Sequence, residues 1–228
     1  MTTTLIRTGS LALIVICLAG CAGTAWKKAA SVNTTAGYEH FLQKFPDSWE
    51  ADLARVNLQC LHYDQAKTDG RIAQDINRMK VTAGSVLSRD AKVEVTTRSE
   101  PQSQLRPRFT IEIHDLAGDG LVGGLSHPEF RRQVESICAA ILRAVDSVEL
   151  PSIECEIMID VYYRLDRYYE GVLIQRNVDT LIYDFAIDIA KMRTNDLAKL
   201  NNDAIMHLGH SWVDSIDALS QSPPLLRP

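Results

Sequence analysis

The sequence predicts an α+β fold: a helical hairpin region, then an antiparallel sheet with helices packed on one face. Three observations carry that expectation. Apolar residues between 25 and 61 recur at spacings of three and four, the helical period, whereas those of 109–113 and 153–163 alternate, the strand period. Between them lies a polar stretch, Thr96 to Gln104, followed shortly by Pro107. The charge also changes sign there: residues 21–108 hold 13 basic and 10 acidic side chains, and residues 109–228 hold 10 and 19. The chain has 228 residues, 46% hydrophobic and 23% charged, enough for one medium domain or two small ones with a real core. Five cysteines are too few for a disulfide-stapled miniprotein. A formal charge of -5 argues against a general nucleic-acid binder, which neutralises phosphates with surplus Lys and Arg.

Residues 1–20 read as an address. Met1 to Thr8 is polar with one positive charge, Arg7, and Leu11 to Ala19 is almost unbroken apolar. A charged start, a short apolar run and small residues make a secretory signal. A spanning helix needs about 20 apolar residues, roughly twice this run. The segment ends Leu18-Ala19-Gly20-Cys21, which resembles the lipobox of bacterial lipoproteins at all four positions. The resemblance implies a diacylglyceryl group on the Cys21 sulfur, cleavage between Gly20 and Cys21, and acylation of the new amino terminus, with chains such as palmitate. One acyl chain binds a bilayer marginally, and two or three hold it stably. Residue 22 is Ala, not the Asp that resembles an inner-membrane retention signal in enteric bacteria. The implied destination is the outer membrane, lipid-anchored on the periplasmic side. Cleavage would leave 208 residues and, besides Cys21, the thiols Cys60, Cys138 and Cys155. Three thiols allow one bridge at most. Cys138 with Cys155, nearest in sequence, is the preferred pair, and buried single thiols are the alternative.

Residues 21–95 are expected to be helical. Ala25 to Ala30 forms a short helix beginning at Trp26. Thr34 or Thr35 caps a second, with Tyr38, Phe41, Leu42 and Phe45 on one side. Pro46-Asp47-Ser48 breaks it, and Asp47 or Ser48 caps a third helix carrying Ala51, Ala54, Leu58 and Leu61. Through Trp26, Ala29, Tyr38, Phe41, Leu42, Phe45, Pro46 and Ala54, residues 24–62 resemble the tetratricopeptide-like hairpins of bacterial envelope proteins. A faint second copy lies 37 residues on, matching Tyr63, Ala66 and Ala73 to Trp26, Ala29 and Ala36. The resemblance implies stacked neighbours, either the second region or another protein.

Residues 96–108 read as a linker or long loop and 109–220 as an α+β domain, with 221–228 a loose tail. Phe109, Ile111 and Ile113 share a strand face. Ser126-His127-Pro128-Glu129 has the form of a capping box opening a helix to about Val145, with Phe130, Val134, Ile137, Ile141 and Val145 inward. Ile153 to Arg164 is the clearest strand, Gly171 allows a turn, and residues 181–189 alternate as a strand, although a helix also fits. A last helix is expected from Asp196 to Leu219, with Asn201-Asn202 as a possible interruption.

No catalytic constellation stands out. His207, His210 and Asp214 have helical spacing for a metal but lack a second ligand cluster. Asp115 to Gly120 echoes a calcium loop without its bidentate acid, Ser126 standing at that position. Glu154, Glu156 and Asp160 fit the solvated side of a strand. No nucleophile elbow and no phosphate loop occur, so no metal, cofactor or enzymatic activity is expected. Tyr162, Tyr163, Tyr168 and Tyr169 form a candidate interface, because such side chains pair an apolar body with a polar tip. The sequence therefore reads as a non-enzymatic adaptor or assembly factor of an envelope complex. Its partners would be the membrane, through acyl chains on Cys21, and an envelope protein. The alternatives are a small-ligand or lipid-binding lipoprotein with a groove between sheet and helices, or a periplasmic hydrolase with a dispersed site near His114 and His127.

Overall fold

Asn33 and Thr34 set the first turn of the chain. Helix α1 (residues 22–32) ends where Asn33 takes the left-handed conformation, φ 48°, and donates its N–H to the Ala29 carbonyl at 2.9 Å. Asn tolerates this conformation better than most residues. Thr34 then caps α2 (Thr35–Lys44), its hydroxyl accepting from the Gly37 N–H at 3.2 Å. The Pro46-led turn separates α2 from α3 (Glu50–Thr68). The structure, a computed structural model, describes residues 22–87, 91–100, 105–114, 128–148, 154–169 and 172–212. The signal segment with Cys21, the glycine loop and Ser126-His127, Ile153, Gly171, Asp214 and the tail lie outside those residues.

The aromatic residues of α1 and α2 form one cluster. Tyr38, Phe41, Ala29 and Ala54 are buried in it, and Trp26, Leu42 and Phe45 pack against them. The Trp26 ring centroid lies 5.9 Å from that of Tyr38 and 5.7 Å from that of Phe41. The Tyr38 hydroxyl donates to Asn33 Oδ1 at 2.9 Å and accepts from Asn57 Nδ2 at 3.2 Å, linking all three helices. Burial pushes the Tyr38 hydroxyl above its ordinary pKa.

A fourth helix, α4 (Arg71–Val86), follows Gly70, which holds φ 74°. Its start lies 36 residues after that of α2, close to the period of the faint second copy. The chain divides into two compact units: residues 1–68 with Ser99–Pro107, and Asp69–Arg98 with residues from Arg108 onward. Thus α4 belongs to the sheet's unit, although the sequence places it with the first helices.

Five strands form one sheet in the order β1-β2-β3-β4-β5: β1 (Lys92–Glu100), β2 (Leu105–His114), β3 (Glu156–Tyr169), β4 (Val172–Asp188) and β5 (His210–Trp212). The expected linker at 96–108 is therefore strand over 96–100 and 105–108. Helix α5 (Pro128–Ser147) lies between β2 and β3 in sequence, and those strands run parallel, Phe109 beside Ile157 and Ile111 beside Ile159. The fold is α+β, but its sheet is mixed rather than wholly antiparallel. Alternation reports which face a residue takes, not which way its neighbour runs. β3 and β4 form an antiparallel hairpin, which makes 179–188 strand.

Phe109, Ile111, Ile113, Ile157, Ile159 and Phe185 are fully buried on the inner sheet face. Phe130, Val134, Cys138, Ile141, Leu142 and Val145 form the buried stripe of α5. Ile137 is only half-buried, and Cys138 and Leu142 take its share. Cys60, Cys138 and Cys155 are buried thiols outside any disulfide, so the preferred Cys138–Cys155 bridge is not formed. Burial pushes both of those thiols upward.

The helix expected from Asp196 is not continuous. After α6 (Ile189–Thr194), its described part holds only α7 (Asn202–Leu208) and β5, which pairs with Asp184–Ala186, and residues 213–219 lie outside the described residues. Arg143 of α5 explains the break. Its guanidinium donates to the Leu197 carbonyl at 3.2 Å, the Leu200 carbonyl at 2.7 Å and Asn202 Oδ1 at 2.8 Å. Those bonds satisfy backbone groups of a non-helical segment while Leu197 is buried. Asn201 then caps α7, accepting from the Ala204 N–H at 2.8 Å. A Cβ at Gly209 would meet the Ala186 carbonyl oxygen and the Phe185 ring, so only glycine lets the chain turn this close to β4.

Two measurements check this account. Arg143→Ala strands two carbonyls and should cost about 2–3 kcal/mol, lowering Tm by about 5–10 °C in a calorimetric scan. A change below 2 °C would contradict the clamp. Thiol titration of the processed protein should find no fast-reacting cysteine before unfolding and three afterwards, Cys60, Cys138 and Cys155. A fourth would mean that the Cys21 sulfur is unmodified.

Candidate functional site on the outer sheet face and its arm

The inner face of β2–β4 is apolar, so strand alternation turns the polar residues to the other face. Register then fixes their neighbours. Glu112 lies beside Asp160, Asp160 beside Asp184, and Asp184 beside Trp212. Adjacent strands are about 4.8 Å apart, so three carboxylates stand in one lateral row. Asp160, in the middle, is 8% exposed, and its Oδ1 has no hydrogen-bond partner among the described residues. Burial, then the Asp184 and Glu112 carboxylates, push its pKa up to about 6, against the pull of Arg108. Burial also raises Asp184, although the Trp212 N–H donates to its Oδ1 at 3.1 Å. Thr96 of β1 donates to Glu112 Oε1 at 3.2 Å.

At the next position His114 stacks on Tyr162, centroids 4.6 Å apart and planes 11° apart. Its ring nitrogens lie 3.7 Å from Glu112 Oε2 and 3.4 Å from Asp179 Oδ2. Burial, then Asp160, Glu112 and Asp179, push the Tyr162 hydroxyl upward. At the other end Arg108 Nε lies 3.9 Å from Glu156 Oε2, and its Nη1 donates to Met158 Sδ at 3.3 Å. This face is acidic, with an aromatic stack at one edge.

Beyond Tyr162 the hairpin extends past the strands described beside it. β2 pairs with β3 only from Arg108 to Ile113, and β5 pairs with β4 only from Asp184 to Ala186. Residues 162–169 and 172–181 continue as a two-stranded arm, about 26 Å long at 3.3 Å per residue. The first register shift falls at the root, between Val161 and Tyr162, and two more fall within the arm. Such bulges increase twist and disfavour indiscriminate edge pairing. At the tip Val172 and Ile174 are 64% and 61% exposed.

The four predicted interface tyrosines separate. Tyr162 joins the outer face, while Tyr163 turns inward and meets the Phe130 ring edge-on at 6.0 Å. Tyr168 and Tyr169 pair with Leu173 and Val172 near the tip. His207 ends α7, its Nδ1 donating to the Asp203 carbonyl at 2.6 Å, whereas His210 begins β5, so they share no helical face. Among the described residues no cluster of three or more metal-ligating side chains occurs, and no helix is long and apolar enough to cross a membrane. Cross-strand register brings Glu112 and Asp184 to Asp160, and His114 meets Glu112, Asp179 and Tyr162; the sequence marks only that Asp160 is on the polar side. The molecule thus has the character of an α+β domain with an acidic sheet face and a projecting β-arm. No known family model, curated protein or solved structure matches the chain.

Asp160 has a measurable consequence. The folded protein keeps its proton up to about pH 6, the unfolded chain only to its ordinary 3.8. Ionising Asp160 therefore costs stability as pH rises through that window, and the cost is fully present above it. Asp160→Asn should raise Tm at pH 7.5 by about 2–4 °C, the shift that roughly 1 kcal/mol gives in a chain of this size. The gain should vanish near pH 4. A variant destabilised equally at both pH values would contradict this electrostatic account.

Proposed function

We propose that this chain is an outer-membrane-anchored periplasmic lipoprotein, held by acyl chains on Cys21, that acts as a non-enzymatic adaptor or assembly factor of an envelope complex. The single observation that carries the docking part is the β3–β4 arm. A two-stranded ribbon is marginal by itself, and this one presents Val172 and Ile174 at its tip and, among the described residues, strand edges with no further pairing beyond β2 and β5. Edge pairing with a partner strand is a common mode of recognition. The acidic face at its root favours a partner with basic side chains, by charge complementarity. The anchoring part rests on Leu18-Ala19-Gly20-Cys21.

A second reading, a hydrolase with a dispersed site, draws on Asp160, an acid with a raised pKa beside Asp184 and Glu112. It requires an activity that Asp160→Asn abolishes. A ligand groove between sheet and helices has less support, because fully buried side chains of β2–β4 and α5 fill that layer.

The test is made in the native host. A photoreactive residue at Ile174 should give one recurring protein adduct, and the same residue at Glu39 of α2 should not. Adducts equal at both positions, or none at Ile174, would remove the docking assignment. Separately, Cys21→Ser should leave the chain uncleaved or release it from membranes. An unchanged, processed, membrane-bound product would remove the lipid anchor.

A further inference from the structure

Helices α1 and α2 enclose a groove with a cavity volume of about 560 Å³, within the usual range of small-ligand sites. Small and apolar residues form its floor, among them Ala25, Ala29 and Gly37, with the Phe41 and Phe45 rings as one wall. Among the described residues its ionisable lining side chains are Lys28, His40 and Lys44, with no carboxylate. Lys28 and Lys44 are exposed. The groove therefore combines an apolar trough with a cationic rim, the chemistry of an anionic amphiphile's binding site.

The chain's own connectivity says which amphiphile lies nearest. Helix α1 begins at residue 22, next to Cys21. At 1.5 Å per helical residue, Ala25 and Lys28 stand within about 10 Å of the first turn. We propose that the α1–α2 groove binds an anionic phospholipid of the bilayer to which Cys21 would be tethered. The acyl chain lies over Ala25, Ala29 and Phe41, and the phosphate meets Lys28 and Lys44. Flexible lysine stems suit this task, because they cover apolar surface while carrying the charge to a headgroup. The inference rests on the lipid-anchor reading for its location only; the groove and its charges are independent of it.

Bromine on an acyl chain quenches a nearby indole, and Trp26 lies 5.7 Å from the groove-wall ring of Phe41. The full processed protein, with Trp49→Phe and Trp212→Phe, is placed in vesicles carrying a fixed fraction of brominated lipid. The brominated lipid is phosphatidylglycerol in one set and phosphatidylcholine in the other. Each basic residue at an anionic surface strengthens attraction by about fivefold. Trp26 should therefore be quenched at an at least fivefold lower fraction of the brominated anionic lipid. Lys28→Glu with Lys44→Glu should abolish that preference, and Lys80→Glu on α4 should leave it intact; all three side chains are exposed, so folding is preserved. Equal quenching by both lipids, no quenching, or a preference that survives the double variant would overturn the proposal. Tight binding of a soluble acidic amphipathic peptide without lipid preference would assign the groove to a protein and overturn it equally. Intact mass of the same sample reports the acyl adduct on Cys21. A missing adduct with preserved anionic preference would defeat the anchor and spare the groove; the reverse result would defeat the groove alone.

Discussion

The packing of α5 against β2, β3 and β4 is the constraint on which the sheet unit depends. Once Phe109, Ile111, Ile113, Ile157, Ile159 and Phe185 are committed to the buried side, the period of two leaves their neighbours no choice of face. Parallel pairing of β2 with β3 then places Glu112 beside Asp160, and antiparallel pairing with β4 adds Asp184. The acidic row is a by-product of register, and its electrostatic cost falls on Asp160, the only one of the three that is almost fully buried. Where the described pairing with β2 ends, a bulge breaks the register at Tyr162, and the hairpin continues beyond it. Apolar core, acidic face and extended arm are thus successive consequences of one packing decision.

Much of this was legible in the chain. Trp26, Tyr38, Phe41 and Phe45 have helical spacing, and they meet in a single cluster. Alternation from Phe109 to Ile113 and from Ile157 to Tyr163 identifies two central strands because their buried residues are large and β-branched or aromatic. What escaped the sequence was non-local. Among its described side chains β1 buries only Val93, 9% exposed, so an edge strand among Thr, Arg, Ser and Glu resembles a linker. α4 buries Asp75 in line with Ile72, Met79 and Ala83, and a charge in that stripe masks its period. The end of the chain reads as one helix because Leu197, Leu200, Leu208 and Trp212 fit a helical stripe. Arg143, about 55–60 residues upstream, is what holds the intervening carbonyls out of a helix.

The candidate site divides along the same line. Single-residue properties were readable: tyrosines with polar tips, acids on a polar strand side, a cysteine behind a lipobox-like tetrapeptide. The relations among them were not. Tyr162 and Tyr163 are adjacent in sequence but belong to opposite environments, one stacked on His114 and the other against Phe130. Spacing alone treats them as one surface. Three-dimensional register converts the pair into one available side chain and one structural side chain.

An adaptor reading also accounts for features that a catalytic reading leaves idle. A hydrolytic site requires converging groups held still, and the acids near Asp160 meet that requirement in part. It does not require a hairpin that runs past the strands described beside it, with two large aliphatic side chains exposed at its end. Exposed Val172 and Ile174 cost solvation in the free molecule, and an isolated ribbon contributes little stability in return. A tethered protein has a use for such a device. Confinement to a surface raises the local concentration of partners on the same membrane, so a modest docking element suffices where a soluble protein would need a larger interface. The proposed anchor at Cys21 and the proposed docking role of the arm therefore support each other physically: the first lowers the affinity that the second must supply.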